Sequence, residues 1–407
     1  MKLNLPEDWS VNALNKISKV SIGLVTTMTK HYSNCGVALI RNSDIKENRI
    51  TKKKLIRLTK SFADQHSSRK LNVGDIVTVH TGEVGVSSMI DEDLDGSLGF
   101  ATLNTRVKKE LINPEFLCWY FNSPKFLSHC VSLSTGDGRQ NLNLKDFAKV
   151  NIPVPPLPEQ KKIAQILSTW DQAITATERL LENSQQRKKG LMQQLLTGKK
   201  RLPGFDGEWE SKSISQTGKI ISGGTPDTND SDLWGGDVQW LTPTDITALK
   251  THFIYDTPRK ITEKGVKESS AALMPSGSLC VCTRASVGLM AISTTPITTN
   301  QGFKSVIPNN KHDVEFLYYL FSFNRHVFIR YSSGSTFMEL SKKDFVKIIF
   351  SYPPVAEQKA IARILASAND EIEQLQKRID GLKQEKKALM QQLLTGKRRV
   401  QVEMEVA

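Results

Sequence analysis

Two long stretches of the chain carry apolar or small side chains at alternating steps of four and three residues. This spacing is typical of a helix that packs against a second helix along one seam. The first seam comprises Ile163, Leu167, Trp170, Ile174, Thr177, Leu181, Ser184, Lys188, Leu191 and Leu195. The second comprises Ile361, Leu365, Ala368, Ile372, Leu375, Ile379, Leu382, Lys386, Leu389 and Leu393. The pattern predicts two long helices, each of which needs a partner for its seam.

A lysine occupies the same place in both seams, Lys188 in the first and Lys386 in the second. One polar residue in an apolar seam can fix the register of a helix pair at a cost in stability. Alternatively, the long side chain extends from the edge of a loose seam into water. The sequence supports both interpretations equally.

The two stretches are copies of each other, since residues 155–201 align with residues 353–399 without a gap. Of the 47 aligned positions, 23 are identical, and the identities are concentrated at the two ends of each stretch. The middles of the two stretches have diverged. An internal repeat of this kind indicates two copies of one structural unit, each a variable block followed by a long helix.

The repeat divides the chain into a first block at 1–154, a helical segment at 155–201, a second block at 202–352 and a final helical segment and tail at 353–407. Both blocks contain short apolar runs bounded by turn residues, which is typical of strands. We therefore predict an α+β fold, in which two mixed, β-rich domains are separated by two long helices in a pseudo-twofold internal repeat.

Weak correspondences link the two blocks. Asp44 and Ile45 match Asp245 and Ile246, and Asn113, which precedes a proline, predicts the start of a helix. The pairs Gly99-Phe100 and Gly302-Phe303 also look equivalent. Anchor residues recur while the residues between them differ, as we expect of two copies of one fold that read different ligands.

The two predicted helices are each other's nearest partners. Antiparallel pairing would join the EQKxIAxIL start of each helix to the LMQQLLTGK end of the other and create two equivalent surfaces. One surface presented twice binds two copies of one partner. Parallel pairing would bring both basic helix ends together, so we favour the antiparallel coiled coil. The candidate docking residues are polar and recur in both copies: Glu159, Gln160, Lys188, Lys189, Gln193, Gln194, Glu357, Gln358, Lys386, Lys387, Gln391 and Gln392.

The formal net charge of +13 narrows the choice of partner, because it favours a polyanion such as nucleic acid. A basic protein without such a partner is the alternative. Residues 41–70 are the most basic segment, with ten Lys or Arg against three acidic residues. Such a run is equally compatible with a solvated face and with contacts to phosphates.

Several classes of function are disfavoured. No apolar run reaches the roughly 18 residues of a membrane span, the N-terminus lacks a signal-peptide core, and the five cysteines form no CxxC pair. These features predict a cytoplasmic protein with reduced thiols. Asp91, Asp93 and Asp95 resemble the first half of a calcium loop, but Thr102 stands where the loop needs a glutamate, so we predict no metal site.

Catalysis is also disfavoured. The sequence Tyr352-Pro353-Pro354-Val355 lacks both the leading acid or amide and the aromatic residue that an adenine methyltransferase needs. We find no P-loop and no cluster of carboxylates typical of a nuclease. We therefore predict that the chain is not itself an enzyme.

With these features the chain resembles the specificity subunit of a type I restriction–modification enzyme over its whole length. The resemblance rests most on the two P-P-x-x-E-Q-K-x-I-A-x-I-L segments and on L-L-T-G-K at the far end of each helix. It implies that the blocks are target recognition domains, each of which reads one half of a split DNA sequence. It also implies that the helices form an antiparallel coiled coil that sets the gap between the halves.

The resemblance further implies partners and cofactors. Two modification subunits would dock on the repeated helical regions and methylate adenine, and restriction subunits would join them to cut DNA. No cofactor would be bound by this chain, because S-adenosylmethionine, ATP and Mg²⁺ would belong to the partner subunits.

Polar residues in the loops beside the recurring anchors are the candidates for DNA contacts, since base-edge contacts carry the sequence information. In the first block they are Arg41, Asn42, Ser43, His80, Thr81, Glu83, Arg139 and Gln140. In the second block they are Gly223, Gly224, Thr225, Thr242, Thr244, Thr283, Arg284, Ser286, Ser335 and Thr336. A structural or solvated role is the alternative for each of them.

A protein-binding coiled-coil scaffold without DNA specificity is the alternative function. The positive charge disfavours it, and salt would discriminate between the two, because binding to phosphates weakens steeply as the salt concentration rises.

Overall fold

The computed structural model describes residues 5–136, 138–334 and 338–402. The chain divides into two compact units. Unit 1 comprises Met1–Glu178 and Lys377–Ala407, and unit 2 comprises Arg179–Gln376. Each unit therefore contains one block, the first half of the long helix that follows this block, and the second half of the other long helix.

The first block is a mixed α+β domain of short elements. Its strands are β1 (Ser10–Ala13), β2 (Ser18–Ile22), β3 (Tyr32–Ser33), β4 (Val37–Arg41), β5 (Ile45–Lys46), β6 (Arg49–Ile50), β7 (Ile56–Leu58), β8 (Ile76–Val79), β9 (Ser87–Met89), β10 (Leu98–Phe100), β11 (Thr102–Val107) and β12 (Asn151–Val154). Its helices are α1 (Leu14–Ile17), α2 (Lys60–Gln65), α3 (Pro114–Phe121), α4 (Pro124–Leu133) and α5 (Leu144–Ala148), and the long helix α6 (Leu157–Leu195) follows.

Two four-stranded sheets form most of the β part of the first block, and the pairs β1-β12 and β5-β6 form two small sheets. One four-stranded sheet has the strand order β2-β11-β8-β9 and the other the order β10-β4-β7-β3, in which β10 runs parallel to β4. The core of unit 1 packs aromatic residues of the block, such as Phe116 and Phe147, with Ile163 of the first long helix and Leu393 of the second. The block and the two helix halves thus share one hydrophobic core.

The second block repeats this plan with different lengths. Its strands are β13 (Glu210–Ser213), β14 (Gly218–Ser222), β15 (Trp234–Leu241), β16 (Phe253–Ile254), β17 (Lys260–Ile261), β18 (Leu279–Val281), β19 (Met290–Ser293), β20 (Ile297–Thr299), β21 (Lys304–Pro308) and β22 (Ile349–Tyr352). Its helices are α7 (Pro243–Ala248), α8 (Glu263–Lys267), α9 (Val314–Phe323), α10 (Arg325–Arg330) and α11 (Lys342–Phe345), and the long helix α12 (Val355–Leu393) follows.

The second block contains a five-stranded sheet with the order β14-β21-β18-β19-β16, a three-stranded sheet with the order β17-β15-β20, and the strand pair β13-β22. The core of unit 2 packs Phe316 and Phe345 of the block with Leu195 of α6 and Leu365 of α12. The arrangement matches that of unit 1, because here too a block and two helix halves bury one another.

The helix that packs each block onto the long helices begins at a capped residue. The Asn113 Oδ1 atom accepts a hydrogen bond from the amide of Phe116 at 2.9 Å, and Asp313 accepts the equivalent bond at 2.9 Å. Such a side chain satisfies an amide that has no partner within the helix. The predicted helix start at Asn113 is confirmed.

Within each unit the two long-helix segments run antiparallel. In unit 1, Lys383 pairs with Glu178 while Lys386 pairs with Asp171. In unit 2, Lys188 donates to Asn369, and Ser184 donates to Glu371 at 2.7 Å. All the predicted seam residues are buried or half-buried. The predicted antiparallel pairing of the two seams is therefore confirmed.

Candidate nucleic-acid interface

A tight turn follows strand β4 in the first block. The Asp44 carboxylate accepts hydrogen bonds from the backbone amide of Arg41 at 2.9 Å and from its guanidinium at 2.9 and 2.8 Å. The carboxylate raises the pKa of Arg41. The turn therefore holds a charged guanidinium in a fixed position, with Ser43 exposed beside it.

Asn42 connects this turn to two other segments of the block. Its Nδ2 atom donates to the carbonyl of Ala101 at 3.2 Å, and its Oδ1 atom accepts from the amide of His80 at 3.0 Å. The His80 ring contacts the Thr81 hydroxyl at 2.8 Å. Burial lowers the pKa of His80, so this imidazole is neutral at pH 7.

The segment before α5 contacts the residues that follow His80. The amide of Gly82 donates to the carbonyl of Gln140 at 3.0 Å, and Thr81 forms a β-bridge with Asn141. The structure thus brings together all the first-block candidates, which we call cluster 1: Arg41, Asn42, Ser43, His80, Thr81, Glu83, Arg139 and Gln140. Ser43, Glu83 and Arg139 are exposed in it.

The turn after β15 in the second block corresponds to the turn after β4. The Asp245 carboxylate accepts from the amide of Thr242 at 2.8 Å and from its hydroxyl at 2.7 Å. The predicted match between Asp44 and Asp245 is therefore confirmed. Thr242 itself is buried and caps α7, while Thr244 in the same turn is exposed.

A second turn, after β18, is connected to this one through residues 300–302. The amide of Thr283 donates to the carbonyl of Gly302 at 2.7 Å, and the amide of Asn300 donates to Leu241 at 2.9 Å. Arg284 forms a β-bridge and a 2.7 Å ion pair with Glu339. We call the assembled set cluster 2: Thr225, Thr242, Thr244, Thr283, Arg284, Ser286, Gln301 and Glu339.

Four candidates of the second block have structural roles that disfavour contact with DNA. Thr242 and Thr283 are buried, and the Thr283 hydroxyl donates to Gly302 at 3.2 Å. A Cβ atom on Gly223 would lie 2.0 Å from the carbonyl oxygen of Asn300, and one on Gly224 would lie 2.2 Å from the Ser270 hydroxyl. These glycines are needed for close packing within the block. The candidates Ser335 and Thr336 lie outside the described residues.

The repeated glutamates that we predicted to dock a partner instead form internal ion pairs. Arg399 binds Glu159 through two hydrogen bonds of 2.7 and 2.8 Å, and Arg201 binds Glu357 through two of 2.7 Å. Both carboxylates are buried. Each pair joins the residues beyond one long helix to the start of the other helix.

The glutamines that follow these glutamates are equally internal. Gln160 accepts from the amide of Asn113 at 2.7 Å and donates to the carbonyls of Leu111 and Pro155. Gln358 makes the same three contacts with the amide of Asp313 and with two carbonyls. We call the set of Glu159, Gln160 and Arg399 joint 1, and the set of Glu357, Gln358 and Arg201 joint 2.

This placement corrects the docking prediction for Glu159, Gln160, Glu357 and Gln358. Side chains that are 0–2% exposed have no surface to offer a partner. The prediction overlooked Arg201 and Arg399, although both lie in the repeat and correspond to each other. The exposed docking candidates are Lys189, Gln193, Gln194, Lys387, Gln391 and Gln392.

The two seam lysines are half-buried and pair with polar residues of the opposite helix. Lys386 pairs with Asp171, and its ammonium lies 4.6 Å from the centre of the Trp119 ring. Lys188 donates to Asn369, which corresponds to Asp171 in the repeat. Burial lowers the pKa of Lys188. Specific partners favour register-fixing over a side chain that merely extends into water.

The basic segment 41–70 is partly neutralised within unit 1. The ammonium of Lys52 lies 2.6 Å from Asp91 and 2.5 Å from Asp93, so a lysine occupies the place that a cation would take in a calcium loop. No group of three potential metal ligands occurs among the described residues. Lys46, Arg49, Lys53 and Lys54 are exposed and remain available to an anionic partner.

Within the described ranges, none of the helices combines the length and the apolar character needed to cross a membrane.

Comparison with known proteins finds a relative that aligns with nearly the whole chain. The chain is 28% identical to the putative type I restriction enzyme MjaX specificity subunit of Methanocaldococcus jannaschii, over 97% of this chain and 95% of the relative. It is 38% identical to the MjaIX specificity subunit of the same organism, over 42% of this chain but only 40% of that relative.

Solved structures share the fold. The S subunit of a type I restriction–modification system from M. genitalium matches with a TM-score of 0.62 and 15% identity, over 97% of both chains. The HsdS subunit from Thermoanaerobacter tengcongensis matches with a TM-score of 0.51 and 19% identity, over 97% of this chain and 98% of the other.

The family model described as the type I restriction modification DNA specificity domain matches residues 6–183 and again residues 206–384. The two matches cover most of the chain, and each includes one block and much of the long helix that follows it. The chain therefore belongs to the family of type I restriction modification DNA specificity domains, of which it carries two copies.

Proposed function

We propose that this chain is the subunit that selects the DNA target of a type I restriction–modification complex, and that its two blocks each recognise one half of a split sequence. The correspondence between the two clusters is the main support. The turns closed by Asp44 and Asp245 are equivalent, as are the bridges from Thr81 to Asn141 and from Arg284 to Glu339. The backbone frame recurs while the side chains it presents differ.

The exposed members of each cluster are suited to reading base edges. Arg139 and Arg284 can donate two hydrogen bonds to guanine, and Glu83 can accept from the amino group of cytosine. Ser43 and Thr244 add hydroxyls that pair with several bases. The net charge of +13 supplies attraction to phosphates that does not depend on sequence.

The exposed repeated residues at the helix ends are our candidate surface for two modification subunits. Lys189, Gln193 and Gln194 recur as Lys387, Gln391 and Gln392. Catalysis, together with S-adenosylmethionine, ATP and Mg²⁺, is assigned to the modification and restriction subunits, and the complex is placed in the cytoplasm. The chain itself would contribute recognition and no reacting group.

Co-expression with its modification subunit in a methylation-deficient host tests this function. Sequencing of N6-methyladenine should give a split motif, with two short half-sites around a gap of fixed length. Affinity of the complex for this DNA should fall steeply with salt. A stable complex that methylates no split motif, or that binds DNA independently of salt, would contradict the proposal and favour a scaffold.

Charge reversal tests the docking surface separately. The double variant Lys189→Glu/Lys387→Glu should fail to assemble with two modification subunits, because it inverts one exposed charge in both copies of the surface. Arg179→Glu is the matched control, since Arg179 is exposed on the same helix within the divergent middle. Full assembly of the double variant, measured by light scattering, would remove this surface from consideration.

A further inference from the structure

Strand β21 carries a lysine where the equivalent strand of the first block carries a leucine. The amide of Gly23 donates to the carbonyl of Thr102, and the amide of Gly223 donates to that of Phe303. The next pairs in register are Ile22 with Leu103 and Ser222 with Lys304. Lys304 therefore occupies the position of Leu103.

The residues Leu103 and Lys304 are both buried, but the first side chain is apolar and the second carries a charge. Leu103 is 0% exposed and belongs to the hydrophobic core of unit 1, while Lys304 is only 9% exposed. Among the residues that the structure describes, no other Lys or Arg is as buried. The stem of Lys304 is therefore packed inside the block, but its Nζ atom is not one of the fully buried side-chain atoms that lack a hydrogen-bond partner. A leucine would serve the fold better, because partial desolvation of an ammonium costs stability.

Among the described residues, no hydrogen bond or ion pair of the Lys304 ammonium is found. The charges of Arg284 and Lys342 act on it unfavourably, and that of Glu339 favourably. Burial and these cations lower the pKa of Lys304. Since Glu339 is already paired with Arg284 at 2.7 Å, positive charge remains uncompensated here.

Lys304 also lies beside cluster 2. Its neighbour Phe303 bridges Cys282, and Gly302 accepts from the amide of Thr283, which precedes Arg284. The unpaired ammonium thus belongs to the same small region as the turns that we assign to recognition.

We propose that Lys304 is a specificity-determining residue of the second block, and that its ammonium donates a hydrogen bond to a base-edge acceptor in the second half-site. The inference rests on the proposed function. Phosphates are the same in every half-site and would be equally useful to both blocks. A cation that only one block has at this position is better suited to contact the bases, because the bases differ between the half-sites. Guanine offers the O6 and N7 acceptors that lysine favours.

The variant Lys304→Met tests this assignment, because it keeps most of the side-chain length and removes the ammonium. In the complex with the modification subunit, the methylated motif should lose its base preference at one position of the second half-site. Affinity for the original target should fall about tenfold. The melting temperature of the variant should nevertheless rise, because the variant removes a partly desolvated charge that Arg284 and Lys342 repel.

Lys219→Met is the matched control, since Lys219 is exposed on the neighbouring strand β14. It should change neither the motif nor the melting temperature. Lys304→Leu, which introduces the residue of the first block, provides a second variant in case the methionine disturbs packing.

Two results would overturn the proposal. One is uniform weakening on all sequences with a smaller salt dependence, which would indicate a phosphate contact. The other is an unchanged motif with a lowered melting temperature, which would indicate a structural role. Failure of the proposed function is distinguishable, because the wild-type complex itself would then give no split motif.

Discussion

The joints and the clusters are built from the same internal repeat, but they differ in what the two copies have kept. In the joints the side-chain contacts recur almost atom for atom, with Arg399 on Glu159 and Arg201 on Glu357. In the clusters the backbone contacts recur while most side chains change, as between Thr81 and Arg284. The joints thus belong to a frame that both copies have kept, whereas the clusters present side chains that differ between the copies.

This difference has a physical basis. Buried polar groups need matched partners, so a change to one residue of a joint leaves another group unsatisfied. The exposed members of a cluster are solvated and can be exchanged at little cost to the fold. A frame that resists substitution can therefore carry recognition surfaces that differ.

The largest effect is expected when a joint loses its glutamine. Gln358→Ala should destabilise unit 2 by about 3 kcal/mol, because it leaves the amide of Asp313 and two carbonyls without partners. Gln160→Ala should have the same effect on unit 1. Calorimetry would measure both, with the exposed Gln391→Ala as a control that should stay within about 0.5 kcal/mol. A change below about 0.5 kcal/mol at both joints would show that these buried contacts do not constrain the fold more than exposed residues do.

An intermediate effect on stability is expected at the seam lysines. Lys188 pairs with the amide of Asn369, whereas Lys386 pairs with the carboxylate of Asp171. Asn369→Asp should stabilise unit 2 by about 0.5–1 kcal/mol, since it gives Lys188 the carboxylate that Lys386 has in Asp171. The reciprocal Asp171→Asn should destabilise unit 1 by a similar amount. Shifts of the same sign in both variants, measured by thermal unfolding, would contradict an ion-pair contribution.

The smallest effect concerns pH. Because the pKa of Lys304 is lowered in the folded state from 10.5, the unfolded chain binds more protons above that lowered value. The stability of the wild type should therefore rise relative to Lys304→Met as the pH increases toward 10.5. The melting temperature of Lys304→Met should exceed that of the wild type most near neutral pH, and this difference should decrease at alkaline pH. A difference in melting temperature that does not depend on pH would contradict burial of the charged form.

The sequence predicted much of the frame because its signals are local or periodic. The four–three spacing located both seams, and the residues Asp44 and Asp245 identified equivalent turns. The correspondence of Gly302 and Phe303 with Gly99 and Phe100 was wrong, since Phe303 occupies the place of Thr102. From Thr299 to Phe303 the second block has one residue more than the first block has from Gly99 to Thr102, and a comparison of short motifs does not detect this insertion.

The candidate site was less predictable, because burial of a polar side chain depends on contacts between distant segments. Repetition of Glu159 and Glu357 suggested a shared external partner, whereas the arginines 240 and 156 residues away in sequence make them internal. Lys304 carried no signal in the sequence, since its burial follows from the register of β14 and β21.

The central claim is that each block reads its half-site independently of the other. The most direct test replaces residues 5–154 with the first block of a relative and sequences N6-methyladenine in cells that also express the modification subunit. We predict that one half-site changes while the other half-site and the gap stay the same. A motif in which both half-sites or the gap change would contradict the claim.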